Sequence, residues 1–225
     1  MKELVKEGLT RLGARSSVRP IRALNGIVNY LEVGRWMKAR GFETAQRLRT
    51  RDEVFQTIAE EVAGEQVLYL EFGVHTGVSL RRWSELLRQP DARLNGFDSF
   101  EGLPETWSFE ESAGHFSTNS VLPQFDDPRV TLIKGWFEDT LPGYELPPHE
   151  RLVVAIDSDL YSSAAFVLQT LQKKIVPGSY VYFDEFHDRA HELRAFSDYL
   201  DRTGFEFRLV AATRELTHVA FLRKA

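Results

Sequence analysis

The chain has no cysteine among its 225 residues. That excludes a disulfide framework and thiolate chemistry, and it fits a reducing compartment, so a cytoplasmic location is expected. Long apolar runs are missing too. None approaches the ~18 residues that a membrane span needs, and no signal-peptide pattern opens the chain. There is no internal repeat and no low-complexity tract. The strict G-x-G-x-x-G fingerprint is absent, which disfavours a nucleotide-binding dehydrogenase. Basic residues are scarce beyond the first quarter: residues 1–51 hold 12 Lys/Arg against 4 Asp/Glu, the remainder 16 against 29. A basic helical extension, 1–51, packed on an acidic body, 52–225, accounts for this better than a nucleic-acid partner does. The extension is also a candidate surface for homo-oligomer formation.

The composition does supply a large core, with 43% apolar residues. In the extension, Tyr30, Leu31, Val33, Trp36 and Met37 repeat at helical spacing up to Arg40-Gly41. From Val67 the pattern changes. Apolar runs at 67–72, 94–97, 130–133, 152–156 and 179–183 alternate with helical stretches. Their continuous apolar character is expected of a parallel sheet covered on both faces. The last two runs, Phe205–Ala211 and His218–Leu222, are too close together for a crossover, so they pair antiparallel. The expected fold is α/β: a Rossmann-like, mostly parallel seven-stranded sheet with an antiparallel last strand.

The chemistry collects where strands end. Leu70-Glu71-Phe72-Gly73 leads through Gly77 to Ser79, a strand, a glycine turn and a helix N-terminus. Glycines let backbone N–H groups approach a ligand, and the helix terminus favours negative charge. Asp98, 21 residues beyond Gly77, sits where an acid accepts hydrogen bonds from ribose hydroxyls, with Ser99 beside it. Gly135-Trp136-Phe137 follows the third strand and offers rings to stack on a purine. Asp157 and Asp159 end the fourth strand; Asp184 and Glu185 end the fifth. Four carboxylates so placed repel one another unless a cation, a proton or donors offset them. Oxygen-only donors suit Mg²⁺ or Ca²⁺. His187 and His191 are read as exposed helix residues. Residues 99–129 lack any period and mix Phe100, Trp107, Phe109, Phe116 and Phe125 with Gly, Pro and acids, the composition of a mobile cover over a binding site.

These motifs resemble the class I S-adenosylmethionine-dependent methyltransferases, and within them the macrocin-type O-methyltransferases. Gly96-Phe97-Asp98-Ser99-Phe100-Glu101-Gly102-Leu103-Pro104-Glu105 and Lys134-Gly135-Trp136-Phe137-Glu138-Asp139-Thr140-Leu141-Pro142 carry the likeness as strings; Ile156-Asp157-Ser158-Asp159-Leu160-Tyr161 and Phe183-Asp184-Glu185 support it. The resemblance implies S-adenosyl-L-methionine as cofactor. Its methionine end would lie at Glu71, Gly73, Gly77, Ser79 and Asp157, its ribose at Asp98 and Ser99, and its adenine at Gly135, Trp136 and Phe137. It further implies a small hydroxylated acceptor such as a sugar, and a divalent metal, Mg²⁺, held by Asp157, Asp159, Asp184 and Glu185; the alternatives are a metal-independent methyltransferase with the same cofactor and a non-catalytic cofactor-binding protein. Asp157 and Asp184 would then be catalytic, with His115 as the histidine base of the loop after the second strand. A Gly73→Val change is expected to abolish cofactor binding while leaving the chain folded.

Overall fold

A computed structural model describes residues 2–42, 47–107 and 111–225. In chain order the elements are α1 (Lys2–Gly13), α2 (Val18–Ala39), α3 (Arg51–Glu61), β1 (Val67–Phe72), α4 (Val78–Leu86), β2 (Arg93–Asp98), β3 (Val130–Lys134), α5 (Phe137–Thr140), β4 (Arg151–Ile156), α6 (Tyr161–Thr170), β5 (Tyr180–Phe183), α7 (Glu192–Thr203), β6 (Phe207–Ala212) and β7 (Val219–Arg223). One seven-stranded sheet has the order β3-β2-β1-β4-β5-β7-β6. β7 alone runs against its neighbours, antiparallel to both β5 and β6. The order reverses between β1 and β4, which pair in parallel. A crevice opens beside such a reversal at the strands' carboxyl ends.

Strand alternation divides the core. Leu68, Leu70 and Phe72 of β1 face one side, with α2, α6 and α7 over them. Val67 and Tyr69 face the other, under α3 and α4. All six residues of β1 are buried, so it is the strand that places the crevice. Local signals fix the helices. Thr50 and Glu53 form a reciprocal capping box that starts α3. Gly204 closes α7 in the left-handed conformation.

Packing divides the chain earlier than charge does. α1 contains no buried residue. α2 begins at Val18, with Pro20 tolerated in its first turn. By Val33 and Met37 it belongs to the main core, and Phe42 joins them. Among the described residues no helix is long and apolar enough to cross a membrane.

Candidate active site

The turn after β1 is built around one glycine. Gly73 has φ +99°, and a Cβ placed there would stand 1.8 Å from the backbone oxygen of Asp157. Adjacent strand ends close on it: the Gly73 N–H donates to Phe97 O and the Asp157 N–H to Phe72 O. Gly77, at φ +75°, starts α4, and Pro123 and Phe125 cover it. Glu71 does not enter the crevice. Its buried carboxylate accepts from Tyr69 Oη at 2.6 Å and Ser79 Oγ at 2.7 Å. Glu71, Gly77 and Ser79, expected at the cofactor, therefore do not line the cavity described below. Tyr69 and Glu71 share a strand face, and that face lies under α4.

Burial pushes the Glu71 carboxyl up to about 7, against the pull of its two hydrogen bonds. An acid raised in the folded state binds its proton more tightly there, so the stability it gives is complete below its unfolded pKa and is lost as pH rises through 7. At one pKa unit to ~1.4 kcal/mol, this group costs on the order of 3 kcal/mol between pH 4.5 and 8. Glu71→Gln should flatten that decline. Thermal midpoints of both chains at pH 5 and pH 8 check it; parallel slopes would refute it.

Asp98 fastens the crevice from β2. Its Oδ2 accepts the N–H groups of Val74 and His75, both at 2.8 Å, and its Oδ1 that of Phe100 at 2.6 Å. It faces a cavity of about 270 Å³, with Gly73, Ser99, Gly135, Trp136 and Phe137 in the walls. Phe137 anchors this wall edge-to-face on Phe72, 5.4 Å between centroids. His75 also lines the cavity, in the left-handed region at φ 49°. The sequence offered no sign of His75 beyond its place between two glycines.

The four carboxylates separate. Asp157, Asp159 and Glu185 line the cavity; Asp184 does not. Asp184 turns to the α3 face, where Arg51 Nη1 lies 3.3 Å away, His218 Nδ1 3.2 Å away, and Tyr182 donates its hydroxyl. Burial raises the Asp184 pKa, but His218 and Arg51 outweigh it and hold the carboxyl below its usual range. Burial first, then Asp184 and Asp159, push Asp157 well up. Burial and Asp184 raise Asp159 and Glu185 to about 7 each. Glu192 Oε2 accepts the Glu185 N–H at 2.9 Å and fixes that backbone. Among the described residues no group of three or more His, Asp or Glu converges as metal ligands. The expected set of four does not fit a divalent ion, because Asp184 turns away from the other three acids and already pairs with Arg51 and accepts from Tyr182.

The loop after β2 folds over the cavity. The Leu103 N–H donates to His115 O, the Gly114 N–H to Leu103 O, and the Trp107 N–H to Glu111 O. Phe100, at φ 59°, is buried beneath. Trp107 and Phe116 reach the cavity. His115 is exposed and outside the cavity walls, its ring edge-on to Phe116 at 4.3 Å; the expectation of a base at His115 is not met by this arrangement. Phe109, expected in the cover, lies outside the described residues. His187 and His191 are half-buried rather than exposed helix residues: His187 stacks on Tyr30 at 5.1 Å, and His191 caps α7.

A crevice at the strand reversal, with a ribose-type acid and three further acids, is the setting in which relatives become informative. Residues 39–213 match the macrocin O-methyltransferase (TylF) family. The chain belongs to that family. It is an S-adenosylmethionine-dependent O-methyltransferase. A tetracenomycin-C 4'-O-methyltransferase of Streptomyces olivaceus, named for a dimethoxyrhamnosyl substrate, is 30% identical, with 69% of this chain and 70% of the relative covered. The demethyldecarbamoylnovobiocin O-methyltransferase of Streptomyces niveus is also 30% identical, with 67% and 68% covered. Among solved structures, the O-methyltransferase NovP superposes with a TM-score of 0.61 at 22% identity, covering 78% of this methyltransferase and 80% of NovP. The calicheamicin methyltransferase CalS11 gives 0.60 at 22%, covering 77% and 76%. Both share the fold.

Proposed function

We propose that this methyltransferase modifies a hydroxyl on a sugar or sugar-bearing natural product. The observation that carries the reading is that one cavity is walled both by the cofactor-type residues and by three acids, Asp157, Asp159 and Glu185. Asp98 and Ser99 take the ribose, Gly135, Trp136 and Phe137 the adenine, and Gly73 with Asp157 the methionine end. When bound, S-adenosylmethionine supplies a methyl group on a sulfonium, ready for in-line displacement. The chain's own task is to align an acceptor oxygen with that methyl and to receive the hydroxyl proton. Alignment alone is worth ~7–11 kcal/mol of barrier. Asp159 and Glu185 stand on the acceptor side and receive the proton, since an acid near pH 7 is matched to that work. Trp107 and Phe116 exclude water above them.

The test is S-adenosylhomocysteine formation on a panel of glycosylated aromatic and macrolide acceptors. Asp159→Asn and Glu185→Gln should each cut kcat by about 10²–10⁴-fold, the range of general acid–base catalysis, while cofactor affinity holds. A pair of fully active variants would place the proton acceptor elsewhere. Absence of product from every hydroxylated acceptor, with cofactor still bound, would overturn the reading.

A further inference from the structure

Two helices of this methyltransferase show water an apolar face that a folded chain ordinarily buries. On α1, Val5, Leu9 and Leu12 recur at spacings of four and three, with Leu4 beside them; they are 56%, 62%, 64% and 74% exposed. On α2, Ile21, Leu24, Val28 and Leu31 recur at three, four and three, with Ile27 beside them, and all are exposed. That spacing is the a/d seam of a helix that packs on another helix. These side chains leave on the order of 900 Å² of apolar surface in water, beyond the few hundred Å² usual for a monomer. The area matches the ~800 Å² that each partner contributes to a standard interface.

α2 cannot turn its seam inward. Its opposite face is already fastened. Arg189 Nη2 donates to Asn25 Oδ1 at 2.8 Å and Nη1 to Asn29 Oδ1 at 2.9 Å. Trp36 Nε1 donates to Ser197 Oγ at 3.0 Å, and Val33 and Met37 sit in the core. The polar side of α1 does not suit a lipid surface, which selects Lys and Arg; here acids alternate with them, in the pairs Lys6–Glu3 and Arg11–Glu7. A mixed-charge helix with a narrow apolar seam fits a protein helix of the same kind.

We propose that a second copy of this chain covers the apolar seams of α1 and α2, helix packing on helix about a two-fold axis. A closed two-fold contact is self-complementary, so one seam serves both sides. The experiment is sedimentation velocity on the full chain at tens of micromolar. The expected mass is twice the 25.8 kDa of one chain. Leu24→Glu with Leu31→Glu should shift it to one chain while the cofactor still binds. Leu9→Glu with Leu12→Glu makes the same test on a helix without buried residues, where loss of the fold is not at issue. A single-chain mass for the unaltered protein, or a two-chain mass that survives both double variants, would overturn the proposal. So would a single-chain mass together with binding to phosphatidylcholine–phosphatidylglycerol vesicles, which would assign the face to lipid.

Discussion

Gly73→Val is expected to yield a chain that does not fold, rather than a folded chain that cannot bind cofactor. The Cβ would stand 1.8 Å from Asp157 O and 2.8 Å from its carbonyl carbon. Neither can retreat, because the Asp157 N–H is tied to Phe72 O and the Gly73 N–H to Phe97 O. Overpacking a core site costs ~1–3 kcal/mol even where neighbours can shift. A left-handed conformation adds ~1–2 kcal/mol for a residue with a side chain. The sum reaches a large part of the ~5–15 kcal/mol that holds a domain together. Gly73→Ala carries the same clash. Near-ultraviolet circular dichroism and a thermal scan decide it: a soluble Gly73→Val chain with an unaltered melting curve would show that the two strand ends can part. This outcome replaces the expectation of a clean binding variant, because Gly73 closes the strand junction as well as facing the cavity.

Asp98→Ala should lower cofactor affinity by about 10–100-fold. On the proposed reading it removes the acceptor of a ribose hydroxyl, and a bond to a charged group is worth ~1.5–3 kcal/mol. It also releases the N–H groups of Val74, His75 and Phe100, which this one carboxylate collects. The turn and the start of the covering loop lose their common fastening. Titration calorimetry with S-adenosylhomocysteine measures the first effect, and proteolysis of the 100–121 region the second. Asp98→Asn should keep part of both, since one oxygen remains. Unchanged affinity in Asp98→Ala would remove the residue from the cofactor site.

Much of this architecture was legible in advance. Continuous apolar runs located the buried parallel strands, and the short connection between the last two runs required an antiparallel pair. The cavity-facing acids Asp157, Asp159 and Glu185 were readable as strand-end residues. Asp184 and Glu71 were misplaced for one reason. Tyr69 and Glu71 lie two apart on β1, and Asp184, one residue past the end of β5, lies two beyond Tyr182, so each acid shares a face with a tyrosine that packs under α3 and α4. Period-two alternation contained that information; attention to strand ends overrode it. Arg51 lies 133 residues from Asp184 in sequence, and no local pattern announces such a partner. His75 was likewise hidden, because it reaches the cavity through a left-handed backbone angle that no motif announces.

The tethers of α2 also set an order of events on the ribosome. Trp36 waits for Ser197, and Arg40 at the helix end for Asp201. At ~5–20 residues per second, about 10–30 s of translation separate the emergence of Trp36 from that of Ser197. Through that interval α2, although made early, has nowhere to dock. Nascent chains stalled before residue 197 should present Trp36, Val33 and Met37 of α2 to the holding chaperones that bind exposed apolar segments, and should release that face once α7 clears the exit tunnel.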